Sequence, residues 1–207
     1  FSPNLIDNDQ ATSNAANSVT AADFDNDGDI DIVGAAFQSD IFSLYRNDGS
    51  GNFQESRDAL PKAAISTQII RSSDIDGDGD LDLFIGGRNV PGAYPTAPKS
   101  SILINNNGMF ENATSSWSNE LSTIGMVTDS EFADFDSDGK TDLIICGEWM
   151  PIQFFRNTGS SLENVTAKIG DPNMKGWWYS LTIADLDDDG DLDIVAGNVG
   201  LNNKFHP

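Results

Sequence analysis

One acidic segment occurs four times in this chain, and its residue types and spacing are suited to binding a divalent cation. The first copy is Asp23-Phe-Asp-Asn-Asp-Gly-Asp-Ile-Asp31, and the others begin at Asp74, Asp134 and Asp185. Carboxylates this close repel one another unless a cation lies among them. Ca²⁺ takes about six to eight oxygens, available here from the side chains at positions 1, 3, 5 and 9 and the carbonyl of position 7. Each nine-residue copy, called an acidic loop below, therefore predicts one Ca²⁺ site.

The predicted metal-binding residues are those at positions 1, 3, 5, 7 and 9 of the four acidic loops. They are Asp23, Asp25, Asp27, Asp29 and Asp31; Asp74, Asp76, Asp78, Asp80 and Asp82; Asp134, Asp136, Asp138, Lys140 and Asp142; and Asp185, Asp187, Asp189, Asp191 and Asp193. Gly at position 6 permits the sharp turn that directs these oxygens inward. Because position 7 offers only its carbonyl, the third acidic loop is expected to bind Ca²⁺ despite Lys140.

The residues after each acidic loop exclude an EF-hand, which shares the start of this pattern. An EF-hand needs a bidentate Glu at position 12 and a helix on each side. Position 12 is instead Gly34, Ile85, Ile145 or Ala196. Each acidic loop continues into a short apolar segment such as Ile-Val-Gly-Ala, which is typical of a strand. We therefore expect the acidic loops to join two strands of a β-hairpin.

The spacing of the acidic loops indicates a repeat architecture. Their starts lie 51, 60 and 51 residues apart. Each of the first three repeats has four strand-like segments: one before the acidic loop, one after it, a third such as IFSLYRN and a short fourth. Asn-Asp-Gly, Asn-Asn-Gly and Asn-Thr-Gly between the third and fourth segments are typical of hairpin turns. Four antiparallel strands per repeat predict the blades of an all-β propeller.

The repeats also resemble a known family. NSVTAADFDNDGDIDIVGAA is similar to the FG-GAP repeat of integrin α-subunit propellers, described in bacteria as the VCBS repeat. GGRNVPGAYPTAP, ICGEWMPIQFFRNTG and KGWWYSLTIADLDDDGDLDIVAGNVGLNN resemble exported bacterial VCBS-repeat proteins that often carry an ASPIC/UnbV segment, which this sequence lacks. The resemblance implies a calcium-bearing propeller of seven blades on an exported protein. It implies no settled biochemical activity.

We expect residues 1–207 to form one fragment of such a propeller. Residues 1–17, with Phe1 in the place of Phe53 and Phe110, are predicted to end a preceding blade; blades follow at 18–60, 66–116 and 126–168, with a partial blade at 177–207. The alternative is a compact four-bladed ring in which residues 1–10 supply an outer strand to the last blade. That ring leaves its last blade one strand short. Because an unclosed propeller exposes strand edges, we favour a larger ring completed by blades of the full-length protein.

A candidate ligand surface is predicted on the face opposite the acidic loops. In a four-stranded blade, the connection between the second and third strands lies on the same face as the link to the next blade. The insertion in the second repeat places Arg88 and Tyr94 there, together with Trp149, Trp177 and Trp178. Amphipathic aromatic residues on surface loops commonly form recognition surfaces. We predict a glycan or protein ligand here; the alternative is that these aromatic residues pack between blades.

Two charged residues are predicted to line the central axis of the propeller. Alternate residues of the first strands point towards that axis, and one such row is Thr20, Arg71, Glu131 and Thr182. A purely structural strand would carry small residues at these positions. Arg71 and Glu131 are therefore expected either to pair across neighbouring blades or to contact a ligand in the channel.

Composition restricts the partners and the compartment. The formal charge is −22, and four bound Ca²⁺ would reduce it to −14, which still argues against nucleic acid as a partner. No apolar run is long enough for a transmembrane helix. Cys146, the single cysteine, is expected to be a small buried residue. Acidic loops without a bidentate Glu should need roughly 0.1–1 mM Ca²⁺, which favours an extracellular or cell-surface, outer-membrane-associated location.

The sequence offers little support for catalysis. The only histidine, His206, has no second His and no Cys close to it in the sequence with which to form a metal or nucleophile site, and the chain has no GxSxG or HExxH motif. We therefore predict no catalytic residues and a calcium-binding adhesion or scaffold module. The alternative is part of a calcium-dependent polysaccharide lyase or hydrolase, since Arg, Tyr and Glu side chains could serve such an enzyme.

Overall fold

The computed structural model describes residues 16–36, 42–61 and 67–200. Residues 1–15, including Phe1 and most of the expected end of a preceding blade, lie outside this part of the chain, as does His206. Most of the regular secondary structure among the described residues is antiparallel strand, which confirms the all-β prediction. Among the described residues, no helix has the length and apolar character needed to cross a membrane.

The described strands are numbered in chain order. They are β1 Ala16–Ala22, β2 Asp31–Ala36, β3 Phe42–Asn47, β4 Phe53–Ser56, β5 Thr67–Ser73, β6 Asp82–Gly87, β7 Ser101–Asn106, β8 Met109–Asn112, β9 Met126–Ala133, β10 Asp142–Met150, β11 Gln153–Asn157, β12 Leu162–Asn164, β13 Gly176–Ala184 and β14 Asp193–Asn198. Two single-turn helices, α1 Thr114–Trp117 and α2 Thr166–Ile169, and a 3₁₀ turn at Asn119–Thr123 connect them.

The strands form successive sheet units that follow the sequence repeat. Unit a contains β1–β4, unit b β5–β8 and unit c β9–β12, each with sequential strands paired antiparallel, and β13–β14 begin unit d. The end of β10 also pairs with β13, where Glu148 lies opposite Trp177, so units c and d share one six-stranded sheet. The prediction of four antiparallel strands per repeat is confirmed for units a, b and c.

Local sequence explains where the strands begin and turn. In every unit, position 9 of the acidic loop is the first residue of the second strand, where apolar and β-branched residues take over. Between β7 and β8, Asn107 and Gly108 both have positive φ, at 49° and 78°. This is the two-residue hairpin turn for which Asn-Gly is best suited.

The hydrophobic core lies largely between neighbouring units. Phe24, at position 2 of the first acidic loop, packs edge-on against Phe110 of unit b with ring centroids 5.9 Å apart. Ile75, at position 2 of the second acidic loop, is buried in the core that joins units b and c, together with Trp117 of α1. Burying such a side chain contributes about 2–3 kcal/mol. The first two acidic loops are therefore held at the junctions between units by the apolar residues that lie among their carboxylates.

Candidate functional site

The acidic loops share one local structure, set by the carboxylate at position 1. In the first loop, the Gly28 N–H donates to Asp23 Oδ2 at 3.0 Å, and the Asp27 N–H donates to Oδ1 of the same residue at 3.2 Å. The glycine at position 6 donates in the same way in the other three loops. Gly28 has a φ of 94°, a conformation that glycine adopts readily and other residues rarely do. The backbone therefore wraps around position 1 and brings the carboxylates together.

The carboxylate at position 9 ties the acidic loop to the third strand. Asp82 Oδ2 accepts the Ile75 N–H at 2.8 Å, and its Oδ1 accepts the Asn105 N–H at 2.8 Å. Asp31 and Asp142 make the same two contacts in units a and c. Burial raises the pKa of Asp82 to about 7. Position 9 thus has a structural role in addition to the ligand role predicted from the sequence.

In each acidic loop, three carboxylates lie close enough to hold one ion. Their ligand atoms fall within 4.8 Å of one another. The groups are Asp23, Asp25 and Asp27; Asp74, Asp76 and Asp78; Asp134, Asp136 and Asp142; and Asp185, Asp187 and Asp193.

Asp25 provides a test of whether this donor set fits a cation. Its Oδ2 lies 3.1 Å from Arg46 NH1, whereas its buried Oδ1 has no hydrogen-bond partner among the described residues. Burial, followed by the nearby Asp31 and Asp27 carboxylates, raises the pKa of Asp25. A buried carboxylate oxygen without a partner is unfavourable. An all-oxygen cluster containing such an atom fits a hard divalent cation such as Ca²⁺.

The side chains at position 7 have different roles in different units. Asp80 Oδ1 accepts Asn26 Nδ2 at 2.5 Å and its Oδ2 accepts the Asn107 N–H at 2.7 Å, so this side chain links units a and b. In the third acidic loop, Lys140 Nζ donates to Asp138 Oδ2 at 2.8 Å. Hydrogen bonding to Lys140 lowers the pKa of Asp138. The lysine therefore occupies an oxygen of the position-5 carboxylate that a metal ion in this loop would need.

An asparagine near the end of the third strand joins the second and third acidic loops to the preceding unit, a role that the sequence pattern did not predict. Asn105 Nδ2 donates to the Phe24 carbonyl of unit a at 2.8 Å and to the Leu81 carbonyl of its own loop at 3.1 Å. Its Oδ1 accepts the Gly108 N–H at 2.8 Å. Asn157 repeats this pattern towards unit b. The sequence pattern predicts only the hairpin turns at Asn-Asp-Gly, Asn-Asn-Gly and Asn-Thr-Gly, and Asn105 lies one residue before the Asn-Asn-Gly turn.

At the other ends of the strands, the residues predicted for ligand binding gather around Glu148. Arg88 Nε donates to Glu148 Oε1 at 2.6 Å, and the Tyr94 hydroxyl donates to Glu148 Oε2 at 3.0 Å. Trp149 Nε1 in turn donates to the Tyr94 hydroxyl at 3.1 Å. Glu148 is only 2% exposed. One buried carboxylate therefore fixes both predicted residues of the insertion and, through Tyr94, the indole of Trp149.

Trp177 and Tyr179 complete this group. The rings of Trp149 and Trp177 have centroids 5.3 Å apart and are tilted by 39°. Arg88 donates to the Tyr179 hydroxyl at 2.8 Å and lies 5.2 Å from the centroid of that ring. Trp149 adopts a φ of 62°, which is rare for a residue of its size. We call the group the aromatic surface; it consists of Arg88, Tyr94, Glu148, Trp149, Trp177 and Tyr179.

The structure does not bring Trp178 into the aromatic surface. Trp178 packs instead against the core formed by Ile144, Cys146 and Leu181. Adjacent residues of a strand point to opposite faces, so Trp177 and Trp178 could not both lie on one surface. Cys146 is buried there, and burial raises its pKa to about 11, so it behaves as the small apolar residue expected from the sequence.

The acidic loops and the aromatic surface lie at opposite ends of the same strands. In β10, Asp142 belongs to the third acidic loop, and Trp149 lies seven residues further along the strand. At about 3.3 Å per residue, these two positions are about 23 Å apart. Residues of the aromatic surface are therefore too far from the acidic loops to be metal ligands there.

The predicted axial pair also comes together, but with a closer partner that the sequence analysis missed. Arg71 NH2 lies 2.8 Å from Asp129 Oδ1 and 3.4 Å from Glu131 Oε1. The second oxygen of Asp129 accepts the Leu181 N–H of unit d at 2.9 Å. Burial raises the pKa of Glu131 despite the nearby Arg71. Asp129 therefore links the first strands of three successive units.

Comparison with known proteins supports the repeat and the fold. No curated protein matches the chain. One similar solved structure is that of an Agrocybe aegerita lectin described as specifically recognising non-reducing terminal N-acetylglucosamine: it shares 21% identity over 85% of this chain, with a TM-score of 0.52. The chain spans 45% of that protein, and at this identity the likeness shows the fold alone. The profile described as "FG-GAP-like repeat" matches residues 23–85, 74–145 and 134–196, and so the chain belongs to the FG-GAP-like repeat family.

Proposed function

We propose that this chain is part of a β-propeller binding module that holds a glycan or protein ligand on its aromatic surface. In this proposal units a to d are successive blades, and the acidic loops each bind one Ca²⁺. The observation that carries the ligand site is the meeting of Arg88, Tyr94, Trp149 and Trp177. These residues come from three separate connections and lie together, away from the acidic loops.

The proposed role of Ca²⁺ is to hold neighbouring units together. When bound, the ion would neutralise the clustered carboxylates. The chain itself places Phe24 and Ile75, at position 2 of their loops, in the cores between units. Asn105 and Asn157 add hydrogen bonds across the same junctions. The residues of the aromatic surface come from units b, c and d. Stable packing between these units would therefore also preserve the geometry of the ligand site.

Two considerations support a glycan as ligand and an extracellular location. The similar lectin structure shows that this type of fold can carry sugar recognition in another protein. Acidic loops of this kind also suit compartments rich in Ca²⁺. We therefore propose that the full-length protein acts at the cell surface or outside the cell.

The test is a binding screen of the chain in Ca²⁺ against immobilised glycans and polysaccharides, including glycans that end in N-acetylglucosamine. We expect retention without product, and loss of retention when Tyr94 and Trp149 are both changed to Ala. Phe53→Ala, which alters an exposed aromatic residue of unit a, is the control and should bind normally. New reducing or unsaturated ends would instead favour the enzyme alternative. Unchanged retention by the double variant would refute the proposed location of the site.

A further inference from the structure

Resting on the proposed binding function, we infer that the aromatic surface recognises a neutral hexopyranose unit stacked on the ring of Trp149, and not a uronic acid. The inference depends on three features of the described residues. These are the accessibility of the rings, the rigidity of their supports and the balance of charge among them.

The rings are open enough to accept a ligand. Trp149 is 42% exposed, Tyr94 51% and Tyr179 45%, although each has a fixed neighbour. Trp177 lies against one side of the Trp149 ring. The electron-rich face of an indole attracts weakly positive C–H groups, such as those on the apolar face of a pyranose ring. The exposed part of Trp149 is therefore suited to stacking on a sugar.

The supports of these rings are in place before any ligand binds. The Val90 N–H donates to the Thr96 carbonyl at 2.9 Å, and the Thr96 N–H donates to the Ala93 carbonyl at 2.8 Å, so the segment carrying Tyr94 is closed on itself. Tyr94 is further fixed by Glu148 and holds the indole of Trp149. A site for one sugar unit offers few contacts. Pre-ordered side chains reduce the entropy lost on binding, which makes such a site effective.

Charge balance favours a neutral sugar over a uronate. Arg88 forms an ion pair with the buried Glu148, and it also donates to Tyr179. The charge of Arg88 is thus offset within the aromatic surface. The whole chain carries a formal charge of −22, which four bound Ca²⁺ would reduce to −14, and this net negative charge disfavours the approach of a polyanion. Tyr hydroxyls at the edges of the rings can still hydrogen-bond with sugar hydroxyls.

The experiment compares labelled probes of matched length in buffer with Ca²⁺. The neutral probes are cellotetraose, laminaritetraose and mannotetraose; the charged probe is tetragalacturonate; and a peptide array represents protein ligands. We expect at least one neutral probe to bind and to quench tryptophan fluorescence. Trp149→Ala should weaken that binding by about 30-fold or more, as loss of a central aromatic anchor does. Phe53→Ala should bind as the unchanged chain does.

Each other outcome contradicts a specific part of this reasoning. Binding of tetragalacturonate or of peptides that depends on Trp149 would overturn the neutral-sugar inference while leaving the proposed binding function intact. Binding of a neutral probe that is unaffected by Trp149→Ala would place the sugar site elsewhere. Failure of all three neutral probes would also overturn the inference. The folding control is the thermal melting of Trp149→Ala in Ca²⁺, which should match that of the unchanged chain, so that a loss of binding is not a loss of folding.

Discussion

Asn105 offers the sharpest test of how the units are joined. Its side chain is 1% exposed and makes three hydrogen bonds, donating to the carbonyls of Phe24 and Leu81 and accepting from the Gly108 N–H. Asn105→Ala would leave these three backbone groups without that partner. Each buried polar group left unsatisfied costs about 1–3 kcal/mol. Some relaxation is expected, so we predict that the free energy of unfolding falls by about 3–5 kcal/mol.

The assay is urea unfolding in saturating Ca²⁺, monitored by tryptophan fluorescence. Asn106→Ala is the matched control, because the neighbouring Asn106 is exposed and its side chain, within the described part of the chain, accepts a single hydrogen bond, from Asn107 at 3.2 Å. It should change the free energy of unfolding by less than about 0.5 kcal/mol. A loss below about 1 kcal/mol for Asn105→Ala would refute the view that this side chain joins units a and b. Equal losses for the two variants would point to a general effect on the hairpin.

Three further predictions concern the acidic loops. Removal of Ca²⁺ by EDTA should lower the melting temperature, because a ligand that binds only the folded state stabilises it; an unmoved transition would argue against a structural metal. In EDTA, Asp82 should destabilise the fold as pH rises from about 4 to 7, since burial raises its folded pKa from 3.8 to about 7. Urea unfolding across that range should therefore show a pH dependence that Asp82→Asn reduces, and equal profiles would contradict this assignment. Lys140→Asp should keep four Ca²⁺ per chain but tighten one site several-fold in calorimetry, because it frees the Asp138 carboxylate; a weakened site would contradict the competition.

The sequence by itself determined the repeat, the strands and the acidic loops. These features depend on local spacing, because the alternation of carboxylates, the glycine at position 6 and the apolar residues that follow act within one hairpin. The Asn-Gly turn at Asn107 and Gly108 is predictable for the same reason, since it needs only two adjacent residues with positive φ. The positions of Arg88 and Trp149 away from the acidic loops are also predictable from the sequence, because strand direction determines which connections lie at the same end of a sheet.

Only the tertiary structure decided which side chains meet across those connections. Glu148 was not predicted as a site residue, because its role depends on contacts with Arg88 and Tyr94, which lie more than fifty residues earlier in the chain. Trp177 and Trp178 are adjacent tryptophans, and the sequence does not distinguish their roles. The pairing of β13 with β10 determines which of them joins the aromatic surface. Asn105 likewise meets Phe24 only because units a and b pack together. These contacts form through packing between units that are distant in sequence. The residue types and local spacing of one repeat do not determine that packing.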